Sequence, residues 1–455
     1  MSAKRVTFGS KLGVILATVG CAVGLGNIWR FPYMVGSNGG AAFLLVYILC
    51  ILFLGLPVMM SELFIGKTTH RNTAGSFKEL APGTKWKYIG YNGVLAAFLI
   101  LGFYSVVSGW TLEYVFQALT GSLKGKSVAD FTNDFAAFSS GVWRPIFWTA
   151  LFVIATHVII ICGVDKGIER ASKVMMPVLF IILIALCIRS LTLPNALVGL
   201  DFLLRPQLDK INSSVILSAM GQAFFSLSIG MGCLITYASY FGKDVNIQQT
   251  AVEVAALDTL VAILAGVMIF PAAFSFGIEP TSGASLVFIT LPNVFEQMPF
   301  GSLWSFVFFV LLALAALTSV ISLHEVVTAY VLEEYQTSRK KAALFVSVGI
   351  FLLGIICSLS VGAVKGLSFF GMPLFDLFDY VTAKIMLPLG GMFICIFVGT
   401  HIQKRILKEA MTNNGTVRFY FFNTYVFFVK YIASVAIGLI FINELGWVDY
   451  ICALL

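Results

Sequence analysis

The sequence predicts an all-α polytopic membrane protein of about 11 transmembrane helices, built as two inverted five-helix repeats whose first helices, spans one and six, are interrupted. Composition, recurring apolar windows and two matched glycine-rich breaks carry that expectation. Hydrophobic residues make up 59% of the 455-residue chain and charged residues only 11%, against about a quarter in an average soluble domain. Windows of about 20 apolar residues, long enough to cross a bilayer, recur near residues 12–36, 41–65, 88–118, 145–162, 174–194, 214–240, 248–276, 302–332, 342–362, 375–400 and 419–443. One transporter domain over 1–455 is expected, with a first repeat over about 12–194, a second over about 214–400 and an extra helix near 419–443.

The first window opens as an ordinary apolar helix from Leu12 and then changes character. Gly20, Gly24 and Gly26 each weaken helix propensity by about 1 kcal/mol relative to Ala, while Asn27 and Arg30 are costly at membrane depth unless partnered. Irregular backbone is tolerated there only where protein buries it or a cavity wets it. No small-residue cleavage site follows, so this segment reads as a retained span and not as a leader peptide. Spans two to five are apolar, with Gly167 and Pro177 loosening the fifth. Span six repeats the anomaly: Gly221-Gln222-Ala223-Phe224-Phe225-Ser226-Leu227-Ser228-Ile229-Gly230-Met231-Gly232 is dense in Gly and Ser where a lipid-facing helix would carry Leu and Ile. Broken helices opening two groups of five spans are the sequence mark of a binding site at the bilayer midplane. Spans seven and eight carry the carboxylates Asp258 and Glu325, Glu62 adds another on span two, and Asp376 and Asp379 open span ten on the outer side. Glu62 and Glu325 are expected to be buried and hydrogen-bonded.

Loop charge sets the orientation. Lys and Arg crowd the loops on the side of residues 1–11, including Lys4, Arg5, Lys67, Arg71, Lys166, Arg339 and Lys404, and thin out on the other side. Positive charge stays inside, which puts the N-terminus in the cytoplasm and, with an odd number of spans, Leu455 outside a plasma (bacterial inner) membrane. The net charge of +7 follows from that bias, so no nucleic-acid partner is expected. The eight cysteines, most of them within apolar windows, show neither zinc spacing nor a disulfide framework. His70, His157, His324 and His401 are scattered, and no HExxH or GxSxG motif appears, so the chain is not expected to be an enzyme. A channel would need repeated polar rings along a pore, and none is visible.

Gly20-Cys21-Ala22-Val23-Gly24-Leu25-Gly26-Asn27-Ile28-Trp29-Arg30-Phe31-Pro32-Tyr33, followed by Asn38-Gly39-Gly40-Ala41-Ala42-Phe43, resembles the first-helix signature of the neurotransmitter:sodium symporter family, in its bacterial amino-acid transporter branch with the leucine-transporter-like fold. Gly221 to Gly232 with Ile235-Thr236-Tyr237-Ala238-Ser239-Tyr240 resembles the sixth helix, and Leu317-Thr318-Ser319 the eighth, so that the likeness runs from about residue 8 to 440. The resemblance implies sodium-coupled import of an amino acid by alternating access, with two Na⁺ sites. One is similar to a set formed by the Ala22 carbonyl, Asn27, Ser226, a polar residue of span seven and the substrate carboxylate. The other is similar to the Gly20, Val23 and Ala315 carbonyls with the Thr318 and Ser319 hydroxyls.

Gly24 stands where amine-transporting members carry an aspartate, which implies a substrate that brings its own carboxylate. By the same resemblance that carboxylate lies at the Leu25 and Gly26 amides near the Tyr104 hydroxyl, with the amine at carbonyls near Cys21, Phe225 and Ser228. The side-chain pocket is then lined by Cys21, Ile100, Phe103, Phe225, Met231, Ser319 and Leu323. Met231, where the leucine transporter has an aromatic residue, favours a large hydrophobic or aromatic substrate. The implied outer gate is Arg30 with Asp379 above Tyr104 and Phe225; the implied inner gate is Arg5, Phe8, Tyr240 and Glu333, with Phe8 departing from the usual tryptophan. Gly167 and Pro177 resemble a pair linked to unwinding of the fifth helix. In span seven Asp258 falls where the family has a sodium-ligating asparagine, and Ala262 falls where a carboxylate is expected. Asp258 as ligand and counter-charge would make chloride unnecessary, although Tyr47, Gln222 and Ser226 match positions around a chloride site and keep chloride open. The alternatives are a membrane sensor that binds substrate without moving it and an amine transporter of the same fold.

Overall fold

A computed structural model of the chain describes residues 6–277, 286–364 and 366–444; Lys4, Arg5, Lys365, Cys452 and Leu455 lie outside the described residues. Nine described helices are long and apolar enough to cross a membrane: Ala41–Thr69, Lys87–Thr120, Trp143–Ile161, Val164–Leu191, Ile247–Ser275, Gly301–Glu334, Arg339–Ser360, Leu374–His401 and Phe422–Asn443. A tenth span is bent by 51° between Lys11–Ala22 and Gly26–Ser37. The expected sixth span consists of two short helices, Ser213–Ser226 and Cys233–Ala238, separated by a nonhelical turn. The outward faces of the long helices Val164–Leu191 and Arg339–Ser360 carry apolar side chains such as Val174, Ile181, Ile188 and Leu352, which a soluble protein would not display in such number.

The expected spans sit close to the observed helices, with one correction. Span five begins at Val164 and not near residue 174, because Asp165, Lys166, Glu169, Arg170 and Lys173 extend the helix beyond its apolar stretch. The first turns are π-helical, where Gly167 lets the backbone close on the preceding helix: a Cβ there would lie 2.1 Å from the Ile159 carbonyl oxygen. The loops near 119–143 and 195–213 contain the short helices Val128–Ser139 and Ala196–Leu204. Ser127 caps the first of these, accepting from the Asp130 amide while Asp130 returns the bond to the Ser127 amide. A small departure from all-helix is the antiparallel pair Ser368–Phe369 and Met372–Pro373, turned at Phe370 and Gly371, which leads into Leu374–His401.

The breaks in spans one and six have different local causes. In span one the helix ends at Ala22, Val23 is extended (φ −70°, ψ 117°), and helical turns resume at Gly26. Gly20 lies inside the first half-helix and does not break it. In span six the break falls at 227–232, not at Gly221, because Ser228, Gly230 and Gly232 all have positive φ, at 55°, 86° and 76°. Gly230 also lies so close to span ten that a Cβ would stand 2.5 Å from the Leu387 carbonyl oxygen. Glu62 of span two braces the turn, its Oε1 accepting the Gly230 amide at 2.7 Å. Glu62 is buried as expected, and its Oε2 has no hydrogen-bond partner among the described residues.

These contacts predict that Gly230→Ala lowers the thermal midpoint in detergent much more than Gly415→Ala. Both glycines have positive φ, but Gly415 has open space around it, so Gly415→Ala costs only backbone strain of about 1 kcal/mol. Equal shifts in a side-by-side melting experiment would mean that the approach to Leu387 places no demand on the residue at 230.

Candidate functional site

Helix ends leave backbone groups without intrahelical partners, and the two breaks bring such ends together inside the protein. Side chains of spans three, eight and ten close the space between them. The cavity so formed has about 50 Å³ of free volume and is lined by Cys21, Ala22, Gly24, Gly26, Ile100, Phe103, Tyr104, Phe225, Ser226, Ser228, Met231, Ser319 and Leu323, all expected from the sequence. Leu25, the remaining expected residue, faces the outer vestibule instead and donates its amide to the Tyr104 hydroxyl at 3.1 Å. Ser228 donates to the Cys21 carbonyl at 3.0 Å and ties the two broken spans at this level.

Sequence reasoning missed Cys233, Thr382, Ala383 and Leu387 on the cavity wall. Thr382 and Ala383 are presented by a π-helical stretch, Val381–Met386, which admits an extra residue per turn and is common at functional sites. No residue type in that segment signals a π-turn.

Gly24 is confined. A Cβ at this position would lie 2.3 Å from Ser319 Oγ and 3.1 Å from the Tyr104 hydroxyl, so the site as built has no room for a side chain.

Beside the cavity, polar atoms from spans one, six and seven form a fully buried cluster. Asn27 Nδ2 donates to Asp258 Oδ1 at 2.8 Å and to Ser226 Oγ at 3.1 Å, while Ser226 Oγ donates to Asp258 Oδ2 at 2.7 Å. Tyr47 adds a bond from its hydroxyl to Ser226 at 3.1 Å, and Gln222 Nε2 reaches the Gly26 carbonyl at 3.5 Å. Asp258 therefore does face Asn27 and Ser226, and Ala262, one turn further on, is an ordinary buried core position. A second oxygen cluster joins spans one and eight. Thr318 Oγ1 donates to the Ala315 and Val23 carbonyls at 2.9 and 3.2 Å, and Ser319 Oγ to Val23 at 3.3 Å. Gly20 packs against Thr318, a Cβ on it lying 3.4 Å from Thr318 Cβ. Both clusters offer hard oxygen donors of the kind small hard cations take.

Above the cavity a vestibule of about 250 Å³ is bounded by Trp29, Arg30, Tyr33, Phe375 and Asp379. The Arg30 guanidinium lies 4.1 Å from the centroid of the Phe225 ring, and its charge acts on Asp379, as do those of Asp376 and Lys384. Below it, Phe8 packs edge-on against Tyr237 and Tyr240, each at 6.0 Å, and donates its amide to the Tyr240 carbonyl at 3.0 Å. The Tyr240 hydroxyl donates to Glu325 Oε1 at 2.6 Å, and Arg339 holds both oxygens of that buried carboxylate at 3.0 and 2.6 Å. Glu325 is thus buried and bonded as expected. Glu333 accepts the amide and side chain of Asn72, both at 2.9 Å, and its expected partner Arg5 lies outside the described residues. His157 Nδ1 and His324 Nε2 are each 2.8 Å from Ser347 Oγ, a meeting of three helices that their spacing in sequence does not reveal.

A cavity between two broken membrane helices, flanked by oxygen clusters, with a vestibule at one end and an aromatic plug at the other, defines a transporter of the broken-helix type. The model of the Sodium:neurotransmitter symporter family matches residues 5–137 and 131–450, and the chain belongs to that family. The chain is 39% identical over 447 residues to the sodium-dependent transporter YhdH of Bacillus subtilis, covering 98% of this chain and 99% of that one. It is 38% identical over 454 residues to a sodium-dependent transporter of Haemophilus influenzae, with 97% and 98% covered. The crystal structure of MhsT in complex with L-phenylalanine superposes with a TM-score of 0.89 at 45% identity, covering 97% of this chain and all of the other. The protein is therefore a multi-pass sodium-dependent membrane symporter and not an enzyme.

The Arg339–Glu325 pair gives a stability test. Arg339→Met should destabilise the protein by about 3–5 kcal/mol because it leaves a carboxylate of zero exposure without its cation. Adding Glu325→Gln to that variant should recover a large part of the loss in a denaturation assay, whereas two additive losses would show that the pair acts through other contacts.

Proposed function

We propose that this symporter imports a neutral, large hydrophobic or aromatic amino acid together with two sodium ions by alternating access. The observation that carries the reading is Gly24: Ser319 Oγ and the Tyr104 hydroxyl occupy the space a side chain would need there, so no carboxylate reaches the cavity from that position. On this reading the substrate supplies the carboxylate that meets the broken-helix amides, as an α-amino acid does. Its carboxylate is assigned to the Leu25 and Gly26 amides and the Tyr104 hydroxyl, its amine to the carbonyls near Cys21, Phe225 and Ser228, and its side chain to the apolar wall of Ile100, Phe103, Met231 and Leu323. The walls are mostly apolar and include the adaptable thioether of Met231. MhsT, with L-phenylalanine in its crystal, supports an aromatic substrate.

The first sodium is assigned to the Ala22 carbonyl, Asn27, Ser226, Asp258 and the substrate carboxylate. The second is assigned to the Gly20, Val23 and Ala315 carbonyls with Thr318 and Ser319. Two cations in a low-dielectric site need compensating negative charge. The substrate provides one carboxylate and Asp258 the other, so chloride is not required. Arg30 and Asp379 act as the outer gate across water over the Phe225 and Tyr104 lid, while Phe8 and Tyr240, with Arg5 and Glu333, act as the inner gate. Two inverted five-helix repeats, an inner-membrane location, a cytoplasmic N-terminus and an outer C-terminus belong to the same reading.

Reconstituted protein should accumulate labelled phenylalanine, tyrosine or leucine with sodium outside, and replacement of Na⁺ by K⁺ should abolish equilibrium binding as well as flux. Binding that persists undiminished in potassium would sink the proposal; binding without flux in counterflow would favour the sensor reading.

Chloride gives an independent test. Uptake should be unchanged when gluconate replaces chloride, and Asp258→Asn should lose activity or gain stimulation by chloride. Wild-type uptake that collapses in gluconate would transfer the compensating role to an anion near Tyr47, Gln222 and Ser226.

A further inference from the structure

Two cysteines face the same cavity from the two broken helices. Cys21 stands in the last turn of Lys11–Ala22 and Cys233 is the first residue of Cys233–Ala238, so both lie where a half-helix meets the cavity. Both are buried, both are free thiols, and both line the same small cavity, where their side chains interact. Neither sodium cluster uses a sulfur atom, and the cavity wall needs no thiol to hold an apolar side chain. The half-helices that carry them are also joined at their other ends, by the Phe8 amide bonded to the Tyr240 carbonyl and by the packing of Phe8 on Tyr237. The two thiols therefore sit at the top of the inner plug, which must part if cargo is to leave on that side.

We propose that Cys21 and Cys233 form a two-coordinate site for a soft divalent cation, and that an ion held there bridges the two half-helices and stops transport. Sulfur selects soft cations over the hard Na⁺ that oxygen clusters prefer. No group of three or more His, Cys, Asp or Glu residues able to hold a metal exists among the described residues, which disfavours tetrahedral Zn²⁺ and favours an ion satisfied by two sulfurs. Hg²⁺ is the ion of that kind with the right charge. As it binds, each thiol loses its proton to water and an Sγ–Hg bond forms in its place, giving two Sγ–Hg bonds, two released protons and a neutral bis-thiolate. Neutrality matters in a buried site, where a residual charge is expensive. The bridge would pin the inner plug shut and take up part of the cavity floor.

The probe is Hg²⁺ alone, added to sodium-loaded protein in proteoliposomes before uptake is measured, each variant being referred to its own untreated rate. Hg²⁺ should abolish uptake, a small thiol should restore it, and prior occupation with sodium and a bound amino acid should slow the block. Cys233→Ala, which leaves one sulfur, should raise the half-blocking concentration by about tenfold or more. In parallel, alkylation of Hg²⁺-treated wild type followed by peptide mass spectrometry should find Cys21 and Cys233 protected together at one Hg²⁺ per chain. The second measurement does not depend on how well the variant transports. Equal blocking of wild type and Cys233→Ala, or protection that falls on Cys50, Cys162 or other cysteines while Cys21 and Cys233 are alkylated, would overturn the proposal.

Discussion

Everything at the centre of this protein depends on backbone left unpaired at mid-depth. A membrane helix satisfies its own amides and carbonyls, and a break in one is ruinous unless other protein groups take over. Here each break is answered by specific partners: Glu62 takes the Gly230 amide, Tyr104 takes the Leu25 amide, Asn27 takes the Gly24 amide, and Thr318 and Ser319 approach the Val23 carbonyl. The same groups border the cavity. The substitute hydrogen bonds that make the broken helices possible are therefore also those that a cation or a carboxylate would compete for.

The scaffold around this centre is rigid where it must resist and strained where it must bend. The glycines at 66, 90 and 109 bring backbone onto backbone, with a Cβ at any of them lying closer than 3.0 Å to a neighbouring main-chain atom. By contrast, the turn at 227–232 gathers three positive-φ residues in one short segment. Strain of this sort persists only where surrounding structure fixes it, and the carboxylate of Glu62 and the backbone of Leu387 are what fix it here. At the Phe8 end of the cavity Glu325 links Tyr240 to Arg339, so the plug is fastened to span eight and to the helix that follows it.

Much of this was legible in the residues. Hydropathy gave the long helices because lipid demands uninterrupted apolar length, and the glycine-rich clusters at 20–26 and 221–232 marked the right two spans. The position of each break was less legible, since a glycine inside a helix and one at its end look alike in sequence: Gly20 and Gly221 are helical, while the turn of span six falls at Ser228, Gly230 and Gly232. Span five began earlier than its hydropathy implied because charged residues can continue a helix at a membrane surface. The wall residues Thr382 and Ala383 were missed because a π-turn leaves no compositional mark, and the placing of Cys21 and Cys233 on one cavity wall because residues 212 positions apart meet only through the fold. Family resemblance, not spacing, supplied the residues of span eight and of the gates.

The crowding at Gly24 has a thermodynamic consequence. If the cargo's own carboxylate completes the coordination of the first cation, ion and cargo share one ligand, and each must raise the other's affinity by the same factor. A substitution that tightens one equilibrium through that carboxylate cannot leave the other untouched. Selectivity for the ion and appetite for the cargo would then evolve as one trait, with the side-chain wall at Ile100, Phe103 and Met231 as the part of the pocket free to change alone.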